Sequence, residues 1–439
     1  MYNEEDFEGE EDQIINEEYK LWKYNSRYLY DTLLIGALEW PSLTVSFLPS
    51  ITEDSNLKTY KIVLGTHTTQ NEQNYLLICK ITLPKQKITK INDDIIENSY
   101  SEESINSFSK VNNKIEIEYK INHQNEVNIA RPMPQENLSN IIATKCPNGE
   151  IHIFDYLKHP KNPIDMQVKP EKKLLGHTKE GFGLNWSQLK EGYLLSGSDD
   201  HRICLWDINS NDKNNLIRTF EGHKGIVEDV NFNKILENIF VSCGDDKKLI
   251  LWDLRQEIPS FCIEAHVQEV NCVDFNPFCE YLLLTSSNDK TCALWDIRNL
   301  KYKLHSFKHH KNDVTGVKWN PNIMSLFASF SSDRRVNIWD LSNVDKNNLS
   351  NDEDGPSELL FTDILLILVI LIGMEMMNYF VFLLVMIILF KFGKWLIICI
   401  LKILVLDLRI LIFKILLFFF NILFINIFIN IFFYFFYFF

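Results

Sequence analysis

A set of four residue types, repeated at fixed spacing, constrains this chain more than any other feature. Four Trp-Asp dipeptides recur at intervals of 43 to 46 residues. Each tryptophan has a histidine 29 residues earlier, a serine or threonine ten earlier and an aspartate six earlier. The sets of histidine, hydroxyl residue, aspartate and tryptophan are His177, Ser196, Asp200 and Trp206; His223, Ser242, Asp246 and Trp252; His266, Thr285, Asp289 and Trp295; and His310, Ser329, Asp333 and Trp339. Such regularity predicts a repeat architecture in which each copy forms one structural unit.

The segments between these markers are typical of short β-strands. Residues 193–196 and 202–206 are examples, and glycine and aspartate turns separate such runs. Four short strands per repeat of this length are the pattern of an all-β WD-repeat propeller. Two weaker copies precede the four good ones: residues 119–156, with Phe154-Asp155 in place of Trp-Asp, and residues 60–83. The sequence therefore contains six recognisable blades.

Histidine, serine and aspartate are also the residue types of a hydrolase triad. A catalytic triad is needed once, whereas this set recurs in every good repeat. We therefore predict a structural clamp, in which the aspartate sits in a turn and hydrogen bonds join it to the histidine, the hydroxyl and the tryptophan. The same recurrence argues against a histidine metal site, and no catalytic residue, metal or other cofactor is expected.

Charge and cysteine usage narrow the class of partner. Residues 1–361 hold 55 acidic against 39 basic side chains, so the body of the chain is strongly acidic. An acidic surface repels nucleic acid and attracts basic partners. The nine cysteines include no CxxC pair, and the closest two are Cys272 and Cys279. This spacing is unusual for zinc and favours reduced thiols in an intracellular protein.

The predicted domain organisation has three parts. Residues 1–40 form an acidic segment with a helix, in which Ile14, Ile15, Leu21 and Trp22 follow helical spacing. Residues 41–361 form the propeller, with a low-complexity loop inserted at residues 84–113. A strand is predicted over residues 37–49, and we expect it to pair into the last blade and close the ring. Residues 362–439 are an apolar tail.

Several segments resemble a known family. Asn16-Glu17-Glu18-Tyr19, Ala37-Leu38-Glu39-Trp40-Pro41-Ser42-Leu43 and residues 222–228 together resemble the retinoblastoma-binding, histone-binding WD-repeat family, which includes the small subunit of chromatin assembly factor. Residues 290–307 and 352–361 also match, so the resemblance runs from residue 16 to residue 361. It implies seven blades, a nuclear location and a non-enzymatic role. The role implied is a histone-binding scaffold or chaperone in chromatin assembly, deacetylase, remodelling or Polycomb-type complexes.

The first predicted binding site is a ring on one face of the propeller. The third residue after each repeat histidine is Glu126, Glu180, Ile226, Glu269 or Asp313, and the fifth is Asn128, Phe182, Glu228, Asn271 or Thr315. Equivalent positions in successive blades form a ring, and its carboxylates suit an arginine or lysine side chain. The resemblance implies that the tail of histone three binds there. Thr315 departs from the family, in which an aromatic residue is usual.

The second predicted site comes from the resemblance alone. In the family, the N-terminal helix and an acidic loop of the sixth blade form a side groove, in which the first helix of histone four lies. The matching residues here are Tyr28, Leu29, Asp352, Glu353, Asp354, Leu360 and Phe361.

The tail after Phe361 does not continue the repeat in the frame given. A shifted frame joins the third base of each codon to the first two bases of the next codon. In that frame, Asp363-Ile364 encodes His or Tyr, Met386-Ile387 encodes Asp, and Phe392-Gly393 encodes Trp or Arg. With His and Trp chosen, the histidine-to-aspartate and histidine-to-tryptophan spacings become 23 and 29 residues, as in the four good repeats. We therefore interpret the tail as an out-of-frame seventh blade, and expect the ring to stay open if this frame is the true one.

Two other functions remain open from the sequence. Taken literally, residues 364–372 with 380–390, and residues 396–439, are apolar enough to suggest membrane helices, which would make the chain a membrane-tethered adaptor. Trp252-Asp253-Leu254-Arg255 and Trp295-Asp296-Ile297-Arg298 resemble the box of cullin ubiquitin-ligase adaptors, which would make it a substrate receptor.

Overall fold

The structure is a computed structural model. It describes residues 17–18, 20–22, 24–25, 32–49, 52–53, 57–68, 72–84, 115–210, 215–344, 355–364, 369–373, 381–391 and 394–404. Of the predicted loop insertion over residues 84–113, only Pro84, the last residue of a strand, belongs to this part. The end of the apolar tail, residues 405–439, lies outside it.

Short antiparallel strands build the described part of the chain, in sequence order. The first strand, β1 (Thr32–Leu38), precedes the blades. Blade one contains β2 (Val45–Phe47), β3 (Thr52–Glu53), β4 (Leu57–Gly65), β5 (Asn74–Pro84) and β6 (Ile115–His123). Blade two contains β7 (Ile129–Pro132), β8 (Ile141–Lys145), β9 (Ile151–Asp155) and β10 (Lys172–Leu174). Blade three contains β11 (Leu184–Trp186), β12 (Tyr193–Gly197), β13 (Arg202–Asp207) and β14 (Leu216–Glu221).

The remaining blades repeat this plan. Blade four contains β15 (Val227–Phe232), β16 (Ile239–Gly244), β17 (Lys248–Asp253) and β18 (Phe261–Glu264). Blade five contains β19 (Val270–Phe275), β20 (Leu282–Ser287), β21 (Thr291–Asp296) and β22 (His305–Lys308). Blade six contains β23 (Val314–Trp319), β24 (Leu326–Ser331), β25 (Arg335–Asp340) and β26 (Leu359–Ile364). A seventh sheet contains β27 (Val369–Gly373), β28 (Val381–Lys391) and β29 (Lys394–Leu404).

The blades are arranged around a centre formed by their first strands. Within blades two to six the four strands pair in chain order. The first strands of consecutive blades contact one another, as β11 does with β15 and β15 with β19. Sheets arranged in this way leave only short protected edges. The prediction of an all-β WD-repeat propeller is confirmed.

The core lies between neighbouring blades. Trp252 of blade four is fully buried, stacks on Phe240 with ring centroids 5.9 Å apart, and meets the edge of Phe220 from blade three at 5.4 Å. Comparable apolar clusters join blade one to two, two to three, four to five and five to six. Each of blades one to five therefore packs its apolar face against the next blade.

The strand that joins the N-terminal part to the seventh sheet differs from the prediction. β1 pairs with β29, with Leu38 opposite Trp395, whereas β2 pairs with β4 inside blade one. The prediction that one strand over residues 37–49 closes the ring was wrong for most of that range, because only Ala37 and Leu38 pair with the seventh sheet. The polar residues at and next to β2 do not face solvent. Thr44 and Ser46 are buried, and their hydroxyls donate to the Ala130 carbonyl of blade two at 3.3 and 2.9 Å.

The apolar tail forms a sheet in the frame given. The order of the seventh sheet is β1-β29-β28-β27, and β27 contacts β23 and β24 of blade six and β2 of blade one. The expectation of an open ring was therefore wrong, because β27 contacts the blades on both sides and β1 completes the seventh sheet. Residues 369–373, 381–391 and 394–404 are strands, so the membrane-helix interpretation of these stretches was also wrong. No helix in the described residues is long and apolar enough to cross a membrane.

Candidate functional site

The repeat residues form the same hydrogen-bonded chain in each of the four WD repeats. The tryptophan indole N–H donates to the serine or threonine oxygen at 2.8–2.9 Å. That oxygen lies 2.7 Å from histidine Nε2. Histidine Nδ1 lies 2.8–3.2 Å from the aspartate carboxylate, to which it donates. Since the carboxylate can only accept, Nε2 is left to accept the hydroxyl proton.

Burial favours the neutral ring in two of the four clamp histidines. Desolvation lowers the pKa of His177 and His266, which favours the neutral ring. Burial opposes ionisation of Asp200, yet hydrogen bonds from His177 and the Thr178 backbone N–H hold its pKa below the ordinary value. The serine and threonine side chains of all four sets are fully buried, so no substrate can reach them. This geometry fixes each turn against its strands.

A left-handed residue follows each clamp aspartate. His201, Lys247, Lys290 and Arg334 have φ between 63° and 68°. Such a conformation is uncommon outside glycine and carries strain, which the surrounding hydrogen bonds must offset. In each of the four WD repeats, the turn therefore holds the clamp aspartate and the residue before it at the same place in the blade.

The acidic residues of the predicted ring lie within the first strands of their blades or up to four residues before them. We call Glu180, Asp199, Glu228, Asp245 and Glu269 the acidic arc. Asp199 interacts electrostatically with Glu180, and Asp245 with both Asp199 and Glu269, so the arc runs across blades three, four and five. The buried Lys145 ammonium, which donates to the Gly197 carbonyl, offsets part of the charge near Asp199 and Glu180.

Glu228 is the least solvated carboxylate of the acidic arc. It is half-buried in β15 and shares a hydrogen bond with Asp245. Burial, followed by repulsion from Asp245 and Asp199, raises its pKa to about 7. Burial and neighbouring carboxylates also raise the pKa of Asp199 and of Asp245. A cation placed here would relieve this repulsion, which makes the site selective for a positive charge.

An exposed aromatic residue, Phe182, comes one residue before a glycine that packs against the backbone of Glu228. Phe182 leaves 45% of its surface exposed, although it is a large apolar residue. The next residue, Gly183, lies so close to blade four that a Cβ there would be 3.5 Å from the Glu228 carbonyl oxygen. An aromatic face next to paired carboxylates can hold a guanidinium group by stacking and by forked hydrogen bonds together.

The other predicted ring residues lie at the starts of blades two, five and six. Asn128 donates to Glu180 at 3.1 Å, which links blades two and three. Asn271 donates to the Val314 carbonyl at 2.9 Å and to Asn288, which in turn donates to Glu269. Glu126 lies 3.4 Å from His67 of blade one. Asp313 and Thr315 are exposed in blade six.

Sequence reasoning missed two members of the acidic arc, Asp199 and Asp245. Both stand immediately before a clamp aspartate, in the doublets Asp199-Asp200 and Asp245-Asp246. The doublets were a usable signal, because the second aspartate is held in the turn and the first must then point elsewhere. Only the three-dimensional fold shows that Asp245 meets Glu228, 17 residues earlier in the same blade.

The predicted side groove is described in part. Tyr28, Leu29, Asp352, Glu353 and Asp354 lie outside the described residues. Leu360 is 41% exposed on β26, the outermost strand of blade six, and Phe361 beside it is half-buried. Helical residues 17–18, 20–22 and 24–25 reach the same blade, where Glu18 lies 3.8 Å from Arg334. Trp22 of this helical segment is buried.

The arginines of the two adaptor-like boxes are engaged within their own motifs. Arg255 and Arg298 each form an ion pair of 2.6 Å with the aspartate two residues earlier, Asp253 and Asp296. Arg298 also lies over the Tyr281 ring, 4.3 Å from its centroid. Nothing in this geometry favours the ubiquitin-ligase interpretation.

Comparison with protein-family models finds two matches. Residues 17–85, which hold the helical segment, β1 and the first strands of blade one, match the model of the histone-binding protein RBBP4 and its counterpart in the CAF1 complex. Residues 169–207, 214–253, 258–296 and 301–340 match the WD domain, G-beta repeat. The two matches follow one another along a single propeller. The chain therefore belongs to the WD-repeat histone-binding family of the RBBP4 and CAF1 type.

Proposed function

We propose that this chain is a nuclear, non-enzymatic scaffold that binds histones in chromatin assembly, deacetylase, remodelling or Polycomb-type complexes. The observation that carries the proposal is the acidic arc, in which Glu228 and Asp245 share a hydrogen bond, together with the exposed Phe182 of the neighbouring blade three. Its partners are the tail of histone three on this face and a helix of histone four at the side. No nucleic acid is expected on so acidic a face.

An arginine of the tail is the side chain that suits the acidic arc. Its guanidinium group would stack on Phe182 and donate to Glu228 and Asp245. An exposed salt bridge contributes only about 0.2–1 kcal/mol. A buried, forked arginine contact contributes roughly 2 kcal/mol or more, so most of the affinity should come from this one residue.

The test is titration of a histone-three tail peptide, at about pH 8 where Glu228 is ionised, against the Glu228→Gln variant. We expect weaker binding than wild type and a shallower dependence on salt, because one carboxylate has been removed. Glu257→Gln is the matched control: Glu257 is exposed in the same blade, between β17 and β18, at the opposite end of the strands. Unchanged affinity and salt slope in Glu228→Gln would remove the arc as the binding site.

The side site is supported by the contact between the helical segment and blade six. An amphipathic histone helix would lie between them and cover Leu360, since exposed apolar side chains on an outer strand offer a docking surface. Acidic residues 352–354 would add charge complementarity to a basic helix.

Leu360→Asp tests the side site. We expect a histone-four helix peptide to bind at least tenfold more weakly, or about 1.4 kcal/mol, while the histone-three tail peptide is unaffected. Ile217→Asp is the matched control, because Ile217 is 46% exposed and occupies the same bulge position in the outer strand of blade three. Equal losses in both variants would argue against a specific groove.

A further inference from the structure

Blade two keeps only half of the clamp found in the WD repeats. Counting back from Phe154, which replaces the tryptophan, Thr144 occupies the hydroxyl position and Asn148 replaces the aspartate. His123 still contacts the hydroxyl, with Nε2 2.9 Å from Thr144 Oγ1. The indole donor and the carboxylate acceptor that complete the other clamps are therefore missing from this one.

Two further side chains enter the space beside His123. Cys146 follows β8 and His152 lies in β9. The Cys146 Sγ atom is 3.8 Å from His123 Nε2 and 3.7 Å from His152 Nδ1. All three side chains are fully buried. In the described residues this is the one group of three or more potential metal ligands whose donor atoms lie within 4.8 Å of one another.

Hydrogen bonds on the far side of each ring turn both lone pairs towards the sulfur. His123 Nδ1 lies 2.6 Å from the Asn125 carbonyl, and His152 Nε2 lies 2.8 Å from the Glu150 carboxylate. Both partners can only accept, so these ring nitrogens carry the protons. His123 Nε2 and His152 Nδ1 are then unprotonated, as a metal ligand requires. Such backing by a carbonyl or a carboxylate is the usual arrangement for a ligating histidine.

We propose that His123, Cys146 and His152 bind one zinc ion. Zinc bonds of about 2.3 Å to sulfur and 2.0–2.1 Å to nitrogen, at tetrahedral angles, place S and N about 3.6 Å apart. The two observed S–N distances of 3.7 and 3.8 Å lie within a few tenths of an ångström of that value. Thr144 Oγ1 stands next to His123 and offers an oxygen for a fourth, weaker bond.

Negative charge near the cluster favours a divalent ion. Binding releases the Cys146 thiol proton, so the thiolate neutralises one charge of Zn²⁺ while both imidazoles stay neutral. The Glu150 carboxylate offsets part of the second charge and shares its own with Lys173, 3.6 Å away. Two nitrogens and a sulfur select zinc over magnesium or calcium, which prefer oxygen ligands. The expectation of no metal rested on recurrence of the clamp, and blade two is where that recurrence fails.

The ion would join two blades. His123 ends β6, the outer strand of blade one, whereas Cys146 and His152 belong to the β8–β9 hairpin of blade two. Zinc at this point would replace the missing tryptophan and aspartate as the connection between them.

The experiment measures bound metal in the full chain purified from zinc-supplemented cells. We expect stoichiometric zinc in wild type, loss of that zinc in Cys146→Ser, and about 10–100-fold weaker zinc binding in Glu150→Gln. Cys204→Ser is the matched control, because Cys204 is also buried, 3.9 Å from the clamp nitrogen of His177, but among the described residues it belongs to no group of three potential metal ligands. It should keep its zinc.

A second measurement covers the case in which Cys146→Ser fails to fold. Wild-type protein stripped of metal is titrated with Co²⁺, and the thiolate-to-cobalt charge-transfer absorption is recorded. A saturable band that zinc abolishes supports the site. Folded wild type that carries no zinc and gives no such band, or Cys146→Ser that retains stoichiometric zinc, would overturn the proposal.

Discussion

The raised pKa of Glu228 moves the pH dependence of histone-tail binding into the range from pH 6 to pH 8, where an ordinary surface carboxylate is already ionised. In the free protein this pKa is about 7, because the carboxyl is half-buried beside Asp245. An arginine of the tail can pair only with the ionised form. The peptide must therefore displace a proton below pH 7, and its affinity should rise as pH increases.

The size of the effect follows from linkage between proton and peptide. If only the ionised form binds, affinity falls by a factor of 1 + 10^(pKa − pH), which is about 2 at pH 7 and about 11 at pH 6. Between pH 8 and pH 6 the loss is roughly tenfold, or about 1.4 kcal/mol. Arginine remains charged throughout this range, so the peptide contributes no compensating change.

The assay is calorimetric titration at pH 6, 7 and 8 with a tail peptide that lacks histidine and has blocked termini. Repeating the pH 7 titration in buffers of different ionisation enthalpy gives the number of protons released, which should be about one half for Glu228. Glu228→Gln should bind more weakly than wild type at pH 8 and nearly as well at pH 6, so the two curves converge on acidification. Glu257→Gln should follow wild type. A wild-type affinity that is flat or falling from pH 6 to pH 8 would refute the reasoning, as would equal proton release in Glu228→Gln.

Two further predictions concern the fold. Ser242→Ala removes the oxygen that joins Trp252 to His223, at 2.8 and 2.7 Å, and leaves two buried polar groups unpaired. Urea unfolding should show a loss of about 2–4 kcal/mol, and a loss under about 0.5 kcal/mol would contradict the clamp as a stabilising device. The codon reading predicts that RNA sequenced across Ser357 to Phe439 shows a frame change near residues 361–363, which restores the Gly-His, Asp and Trp residues of the repeat at their usual spacing. An RNA that encodes the apolar frame would contradict that interpretation.

The blades could be predicted from the sequence because residues close together in the chain determine the geometry of each blade. A histidine, a hydroxyl, an aspartate and a tryptophan at fixed spacing can close one hydrogen-bonded chain only if the intervening residues form strands and turns of the right length. The same spacing predicts which residues start each inner strand, and hence Glu180, Glu228 and Glu269.

Partners across the ring could not be predicted in the same way. Alternation of Leu43, Val45 and Phe47 identifies a strand but says nothing about the sheet in which it pairs. In the structure β2 pairs inside blade one, and β1 instead pairs with the seventh sheet. Likewise, the meeting of His123, Cys146 and His152 depends on two blades packing together. The ligand spacing along the chain matches no usual zinc motif, so only the fold shows the cluster.

The pairing of β1 with β29 has a consequence for synthesis. Leu38 is made long before Trp395, its partner in the seventh sheet. At roughly 5–20 residues per second, the apolar strand Thr32–Leu38 waits on the order of 20–70 s after leaving the ribosome before that partner exists. Its unpaired edge can join any other exposed strand during this interval. A nascent chain of this kind should therefore depend on a chaperone that shields its N-terminal strand until translation is complete.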